Sequence, residues 1–345
     1  MKITCCPHYP ISQEFVKCKA TEFKLSHSQK KVLKKMRSFL ISGKRPGDSK
    51  NEGSGTHSDS DIVLEIPLKD VKPREKQPDL VIEKQSTEKI PQKKVKLVPA
   101  EQKAVKPGAT VSSKAKSRTP EKSLEDFVGE CLQPNAVHHL QTTLIRSSQL
   151  SEEFVQDLEE EHTLYVKYQV AIHNDKPEKC TLQQFTKFLV NSPLNEWIPA
   201  DGPPKGYGSF HQQYRIDGKL IAVAVLDILP HCVSSVYFFY DPEYSFLSLG
   251  TYSSLREIGL VRELSTKCPE LCWYYLGYYI HTCPKMRYKR QYNPSYLACP
   301  ETYRWVCLPD CLPRLEQSKY SRLDPDDKSV DENLVQDLGE VFIRY

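Results

Sequence analysis

The pair Asp217-Gly218, set between two apolar runs, constrains this chain more than any other feature. Both residue types tolerate positive φ, so the pair predicts a two-residue hairpin turn. Before it lies GYGSFHQQYRI and after it Leu220 to Leu229, apolar throughout except for Asp227. An unbroken apolar run predicts a strand buried on both faces. Val233 to Tyr240 follows as a third strand, rich in aromatic and β-branched residues. Beyond Asp241-Pro242, residues Leu249, Tyr252, Leu255, Ile258 and Leu264 fall on one helical stripe. A sheet that hands directly to a helix N-terminus predicts a cradle for a phosphate-bearing acyl donor.

The rest of the 345-residue chain is arranged unevenly around this block. Residues 1–42 carry nine Lys/Arg against two Asp/Glu, residues 43–123 eighteen against twelve, and residues 124–345 twenty-one against thirty. A basic arm on an acidic body suits a polyanion met from one side, or else a solvated lysine-rich tail. The opening MKITCCPHYP lacks an apolar signal core, and no run approaches the roughly 20 apolar residues of a membrane span. No membrane partner is expected. Twelve cysteines without a signal peptide read as reduced thiols or metal ligands rather than a disulfide framework. A cytoplasmic and nuclear location is the expectation.

Three domains are expected. Residues 1–42 form a partial N-terminal cysteine and basic module, with an amphipathic helix over Ser26 to Leu40 whose stripe is Val32, Leu33, Met36, Phe39 and Leu40. Residues 43–122 read as a disordered basic linker, because Ile41 to Asp126 contains no aromatic residue and cannot bury enough apolar surface to offset ordering entropy. Residues 123–345 hold the core. In that part His162 to His173 reads as an alternating strand, Thr181 to Val190 as a helix, and Leu271 to Ile280 as an aromatic strand. The last strand follows a crossover helix, so it should run parallel to the strand before it. The fold class is mixed α/β (α+β) around one central sheet.

The segments GYGSFHQQY, DGKLIAVAVLDILP, CVSSVYFFYDPEYSFLSLGTYSSLREI and YYLGYYIHTCPKMRYK, with CCPHY and KKVLKKM near the start, resemble the eukaryotic arginyl-tRNA–protein transferase family. The likeness covers about residues 1–40 and 125–320. It implies a GNAT-like acyltransferase fold, with arginyl-tRNA and proteins beginning with Asp or Glu as partners. It also implies that the product enters the ubiquitin-dependent N-degron pathway. No cofactor is implied for the transfer step. Members bind zinc or an iron–sulfur cluster through a Cys-x-x-Cys pair and two adjacent cysteines. Cys5 and Cys6 match the adjacent pair, an incomplete site in a sequence that starts at Met1 without the upstream pair. Oligomeric state is left open.

Such a transfer is aminolysis of an ester by an α-amine, which needs positioning and help in removing a proton. His211 is the leading candidate for base or substrate contact, with a structural histidine as the other reading. Tyr207 and Ser209 share its face by the period-two rule, while Gln212 and Gln213 point to opposite faces. Asp227, costly if unpaired in an apolar strand, is a catalytic candidate that binds the arginyl guanidinium or orients a catalytic group, with an acid satisfied by backbone N–H groups as the other reading. Ser248, Leu249 and Gly250 mark the donor-gripping helix start. The coenzyme A signature Arg/Gln-x-x-Gly-x-Gly/Ala is absent there, which disfavours an N-acetyltransferase. Arg256 beside Glu257 suits an ion-pair element on that helix or solvated charges. Lys285 or Arg287 is a cation for the acceptor's acidic side chain or an RNA phosphate. His281-x-Cys283, Cys268-x-x-x-Cys272 and Cys307-x-x-x-Cys311 lack a second half with metal spacing. His211, Asp227 and Gly250 are expected to converge on one cleft. A catalytically inactive isoform that binds tRNA or protein is the alternative from another class.

Overall fold

A computed structural model describes residues 14–45, 122–131, 133–147 and 151–332. Cys5, Cys6 and nearly all of the expected linker lie outside these residues. Eight strands form one mixed sheet: β1 (Glu14–Lys19), β2 (Leu140–Arg146), β3 (Gly208–Ile216), β4 (Lys219–Ile228), β5 (Cys232–Tyr240), β6 (Trp273–Tyr279), β7 (Ser295–Ala298) and β8 (Trp305–Cys307). Their order is β2-β3-β4-β5-β6-β1-β7-β8. All neighbours are antiparallel except β5 and β6, which run parallel as the crossover predicts.

The hairpin forms as its turn residues dictate. Asp217 and Gly218 hold φ of 50° and 83°, the paired positive values of a type I′ turn. The Asp217 carboxylate also accepts from the His139 backbone N–H at 2.8 Å, tying the turn to β2. From Leu220 to Leu226 every residue of β4 is buried, as the apolar run predicts.

Helices cover the sheet on both sides. On one side lie α1 (His27–Ser42), α2 (Leu124–Gly129) and α5 (Leu249–Ser265), joined to the sheet by Phe39, Phe127, Phe210, Tyr214, Tyr252 and Ile258. Helix α1 is closed by a capping box between Ser26 and Gln29 and ended by Gly43 at φ 68°. On the other side lie α3 (Glu152–His173) and α4 (Leu182–Phe185), which runs on into a π-helical turn over Thr186–Val190. Their core contains Ile145, Phe154, Leu164, Phe185, Val223 and Phe239. Each such side chain removed from water contributes about 1.5–3 kcal/mol. Two short helices, α6 (Pro284–Arg287) and α7 (Leu308–Gln317), complete the α-helices among the described residues.

One secondary-structure expectation is overturned. His162 to His173 is the second half of α3, not a strand. Ser151 caps the helix through the Phe154 N–H, and Glu152 and Glu153 fill its first turn. Phe154, Leu158, Glu161, Leu164, Tyr165 and Tyr168 then face the sheet at helical spacing, while Val170 and Ile172 stay exposed. The apparent alternation comes from aromatic and β-branched residues on two sides of a helix. The ten cysteines among the described residues are free thiols.

Candidate active site

The two parallel strands part company. β5 and β6 pair over Cys232–Ser234 and Trp273–Tyr275. Beyond that point β5 pairs with β4 and β6 with β1, so their carboxyl ends diverge. Backbone groups exposed by such a gap need partners. Lys289 supplies them, donating from Nζ to the carbonyls of Leu276 at 2.7 Å and Tyr278 at 2.6 Å. It sits in a 3-10 turn that follows α6, is 9 % exposed, and has no carboxylate partner among the described residues. Burial lowers its ammonium to about 8.

The start of α5 lies at the same carboxyl edge, where ligands bind in open α/β sheets. After β5 the chain makes a 3-10 turn over Pro242–Leu247, capped by Asp241, and enters α5 through Ser248 at φ 55°. Leu249 is buried and anchors the turn, while open space surrounds the Cβ position of Gly250. Tyr292, just beyond the Lys289 turn, is buried; burial pushes its hydroxyl pKa up, partly opposed by Ser254 and Thr251 of α5. His281 follows β6 at this edge, with Nδ1 3.0 Å from the Tyr279 hydroxyl. Burial lowers its pKa, opposed by Glu316 and reinforced by Arg290 and Arg287, which favours the neutral imidazole.

A buried hydrogen-bonded chain runs beneath α5. Tyr274 donates to Glu257 Oε2 at 2.7 Å, and Ser253 donates to Glu257 Oε1 at 2.5 Å. The Tyr214 hydroxyl lies 3.3 Å from Ser253 and donates to Gln212 Oε1 at 2.8 Å. Burial raises the Glu257 carboxyl, against the pull of Ser253, Tyr274 and Ser235. Arg256 does not pair with Glu257. Its Nη2 donates to Thr142 at 2.7 Å, and it lines a cleft of about 860 Å³ together with Gln212, Leu144 and Leu260.

The structure separates the expected site residues into four groups. Ser248, Leu249 and Gly250 share the carboxyl edge with α6, which carries Lys285 and an exposed Arg287. Gln212 and Arg256 meet at the cleft on the other flank of α5. His211 and Gln213 face α3, opposite to Gln212 as alternation requires. His211 is wholly buried, with Nδ1 2.5 Å from Glu161 and Nε2 2.9 Å from the Leu189 carbonyl. Gln213 donates to Asp157 and Glu161, each at 2.9 Å. Both His211 nitrogens are thus engaged inside the core, away from the open edge.

Asp227 forms the fourth group with Ser209, which donates to it at 2.5 Å and lies 2.7 Å from Ser192. Burial raises the Asp227 carboxyl, partly opposed by Ser209. Asp227 stands opposite Ser234, where β5 and β6 begin to part, and about 20 Å of strand separates it from the carboxyl end of β5 that leads to Gly250. The expected convergence of His211, Asp227 and Gly250 therefore does not occur. Nor does Tyr207 share the face of His211. It stacks on Trp197 at 4.9 Å and joins the α5-side core, because Gly208 at φ 128° interrupts the alternation.

Lys289, Tyr292 and His281 were not among the expected site residues. Lysine after a Pro-initiated turn carries no local signal of burial, and only the strand divergence gives it a task. Among the described residues no group of three or more His, Cys, Asp or Glu is placed to hold a metal ion.

A sequence model of the family described as "Arginine-tRNA-protein transferase, C terminus" matches residues 160–299, which include the diverging edge and its lysine. Arginyl-tRNA--protein transferase 1 of Drosophila melanogaster is 43% identical over 387 residues, covering 98% of this chain and 78% of that protein. Arginyl-tRNA--protein transferase 1 of Arabidopsis thaliana is 55% identical over 164 residues, 47% of this chain and 26% of that protein. An aspartate/glutamate leucyltransferase of Stutzerimonas stutzeri (strain A1501) is 38% identical over 154 residues, 44% of this chain and 56% of that protein.

Proposed function

This chain belongs to the arginyl-tRNA–protein transferase family, aminoacyltransferases that move arginine from arginyl-tRNA to proteins, and we propose that it acts on proteins beginning with Asp or Glu at the diverging ends of β5 and β6. The observation that carries this reading is Lys289, a buried ammonium without a carboxylate partner among the described residues, at the open carboxyl edge of the sheet. An acceptor with an acidic first side chain supplies the anion that this cation lacks. The bacterial relative's name, aspartate/glutamate leucyltransferase, supports the same acceptor chemistry with a different donor amino acid.

The reaction forms an amide C–N bond as the acceptor's α-amine attacks the arginyl ester carbonyl. The ester C–O bond breaks, and the ribose oxygen leaves with a proton that originates on the amine. A free α-amine has a pKa near 8, so an appreciable neutral fraction exists at pH 7. Much of the work is then alignment of amine and ester. In this reading His281, neutral and at the same edge, takes the amine proton, and the start of α5 faces the donor's terminal phosphate. The arginylated product would enter the N-degron pathway in cytoplasm and nucleus.

The test offers arginine-labelled tRNA, and separately labelled acetyl-coenzyme A, to peptides starting with Asp, Glu, Asn or Ala. Arginine is expected on the Asp and Glu peptides. Acetyl transfer, or arginine placed equally on Asn peptides, overturns the reading. Replacing Lys289 by Met is expected to raise KM for the Asp peptide at least tenfold while leaving KM for arginyl-tRNA unchanged.

A further inference from the structure

The sheet face opposite α5 is covered by α3 and α4 over β2 to β5. Farther along, β6, β1, β7 and β8 present a different surface on that side. Strand register sets Lys17 beside Tyr275 and Tyr296, and Lys19 beside Trp273. These side chains are partly exposed, and Trp305 of β8 is 38% exposed. Their opposite-facing neighbours Val16, Cys18 and Leu297 are buried in the α5-side core.

The two lysines are held by aromatic rings. Lys17 Nζ lies 3.8 Å from the centre of the Trp273 ring and 4.2 Å from that of Trp305, and Lys19 Nζ lies 4.5 Å from Trp273. Neither ammonium pairs with a carboxylate among the described residues. Cation–π contact fixes each charge without neutralising it, so both remain available to an anion. Edge contacts, Trp273 to Tyr296 at 5.5 Å and Tyr275 to Trp305 at 6.4 Å, brace the rings in turn. Asp227 lies in the same cross-strand row, three strands from Lys17 and turned to Ser209.

Fixed cations interleaved with exposed rings on an open sheet face suit single-stranded nucleic acid. Rings stack on bases of any sequence, and cations meet the phosphates. Four strands spaced about 4.8 Å apart span about 15 Å, room for roughly three or four nucleotides at about 3.4 Å each. We propose that this face receives the unpaired 3′ strand of the tRNA donor, with its phosphates at Lys17 and Lys19 and its bases against Trp305, Tyr275 and Tyr296. The proposal rests on the transferase reading for the identity of the RNA.

The test measures binding of the full chain, by fluorescence anisotropy, to an uncharged acceptor-stem duplex with its unpaired 3′ tail and to the same duplex without it. Wild type is expected to prefer the tailed duplex, and Trp305→Ala to weaken tailed binding by roughly tenfold. Lys17→Gln with Lys19→Gln, which spares the rings, is expected to reduce the slope of log affinity against log salt by about 1.4. Equal binding of tailed and blunt duplexes by wild type, or unchanged affinity and slope in both folded variants, overturns the proposal. Arginine transfer is scored separately. A wild type that prefers the tail yet places no arginine on Asp peptides refutes the transferase reading and leaves the RNA surface standing.

Discussion

His211 and Glu161 meet at 2.5 Å with both side chains fully buried, and so join β3 to α3. The Leu189 carbonyl can only accept, so His211 Nε2 carries a hydrogen, and Nδ1 and Glu161 share one more. Breaking a buried pair leaves a polar group stranded. His211→Ala is expected to cost about 3–5 kcal/mol, read as a lower urea midpoint, while arginine transfer per folded molecule stays within a factor of a few. A large loss of turnover at unchanged stability would instead identify His211 as the base.

Arg262 of α5 fastens the first described segment and α2 to that helix. Its Nε donates to the Ala20 carbonyl at 2.7 Å, its Nη2 to that of Phe23 at 2.5 Å, and its Nη1 to Glu125 at 3.0 Å. Charge-assisted bonds of this kind contribute roughly 1.5–3 kcal/mol each. Arg262→Ala is expected to lower stability by about 3 kcal/mol and to speed hydrogen exchange in β1 more than in β3 and β4. Uniform acceleration across the sheet would contradict this local role.

Two glycines should respond in opposite directions. Gly206 has φ 71°, and a Cβ there would lie 2.6 Å from the Trp197 carbonyl oxygen. Gly206→Ala is expected to cost about 1–3 kcal/mol or more. Gly250 meets open space in the first turn of α5, so Gly250→Ala is expected to add about 0.5–1 kcal/mol. If the donor is gripped at that turn, the same change raises KM for arginyl-tRNA. Thermal melts and donor titrations read both effects.

Lys289 makes stability depend on pH in the alkaline range. Its ammonium falls from the ordinary 10.5 to about 8 in the folded chain, so between these values the unfolded state holds one more proton. Stability from this group therefore rises with pH across that window, by about 1.4 kcal/mol per pH unit. Lys289→Met should abolish the increment between pH 8 and 10.5, measured as the difference in urea midpoints. A parallel pH profile in the two proteins would rule out the burial effect.

What could be read from the residues was what local chemistry decides. Asp217-Gly218 announces its turn, the apolar run of β4 its double burial, and the Leu249–Leu264 stripe its crossover helix. Helix α3 was misread because its strongest signal, Ser151 followed by Glu152 and Glu153, lies ten residues before the aromatic segment that looked like a strand. The candidate site was legible at the start of α5 and illegible at Lys289, whose meaning depends on β5 and β6 separating after Ser234 and Tyr275. His211 illustrates the converse, since a histidine amid family-like residues gives no hint of Glu161, fifty positions upstream.

The position of β1 between β6 and β7 makes the ends of the described chain interdependent. Cys18 pairs with Tyr274 on one side and Ser295 on the other, and β7 and β8 reach the sheet through β1. A nick between Arg45 and Lys122 would sever a covalent link but no strand pairing among the described residues. The two pieces should therefore behave as complementing fragments, each an assembly partner for the other. A ribosome must likewise deliver residue 298 before the opening strand finds both of its neighbours, so this sheet closes late, from its middle.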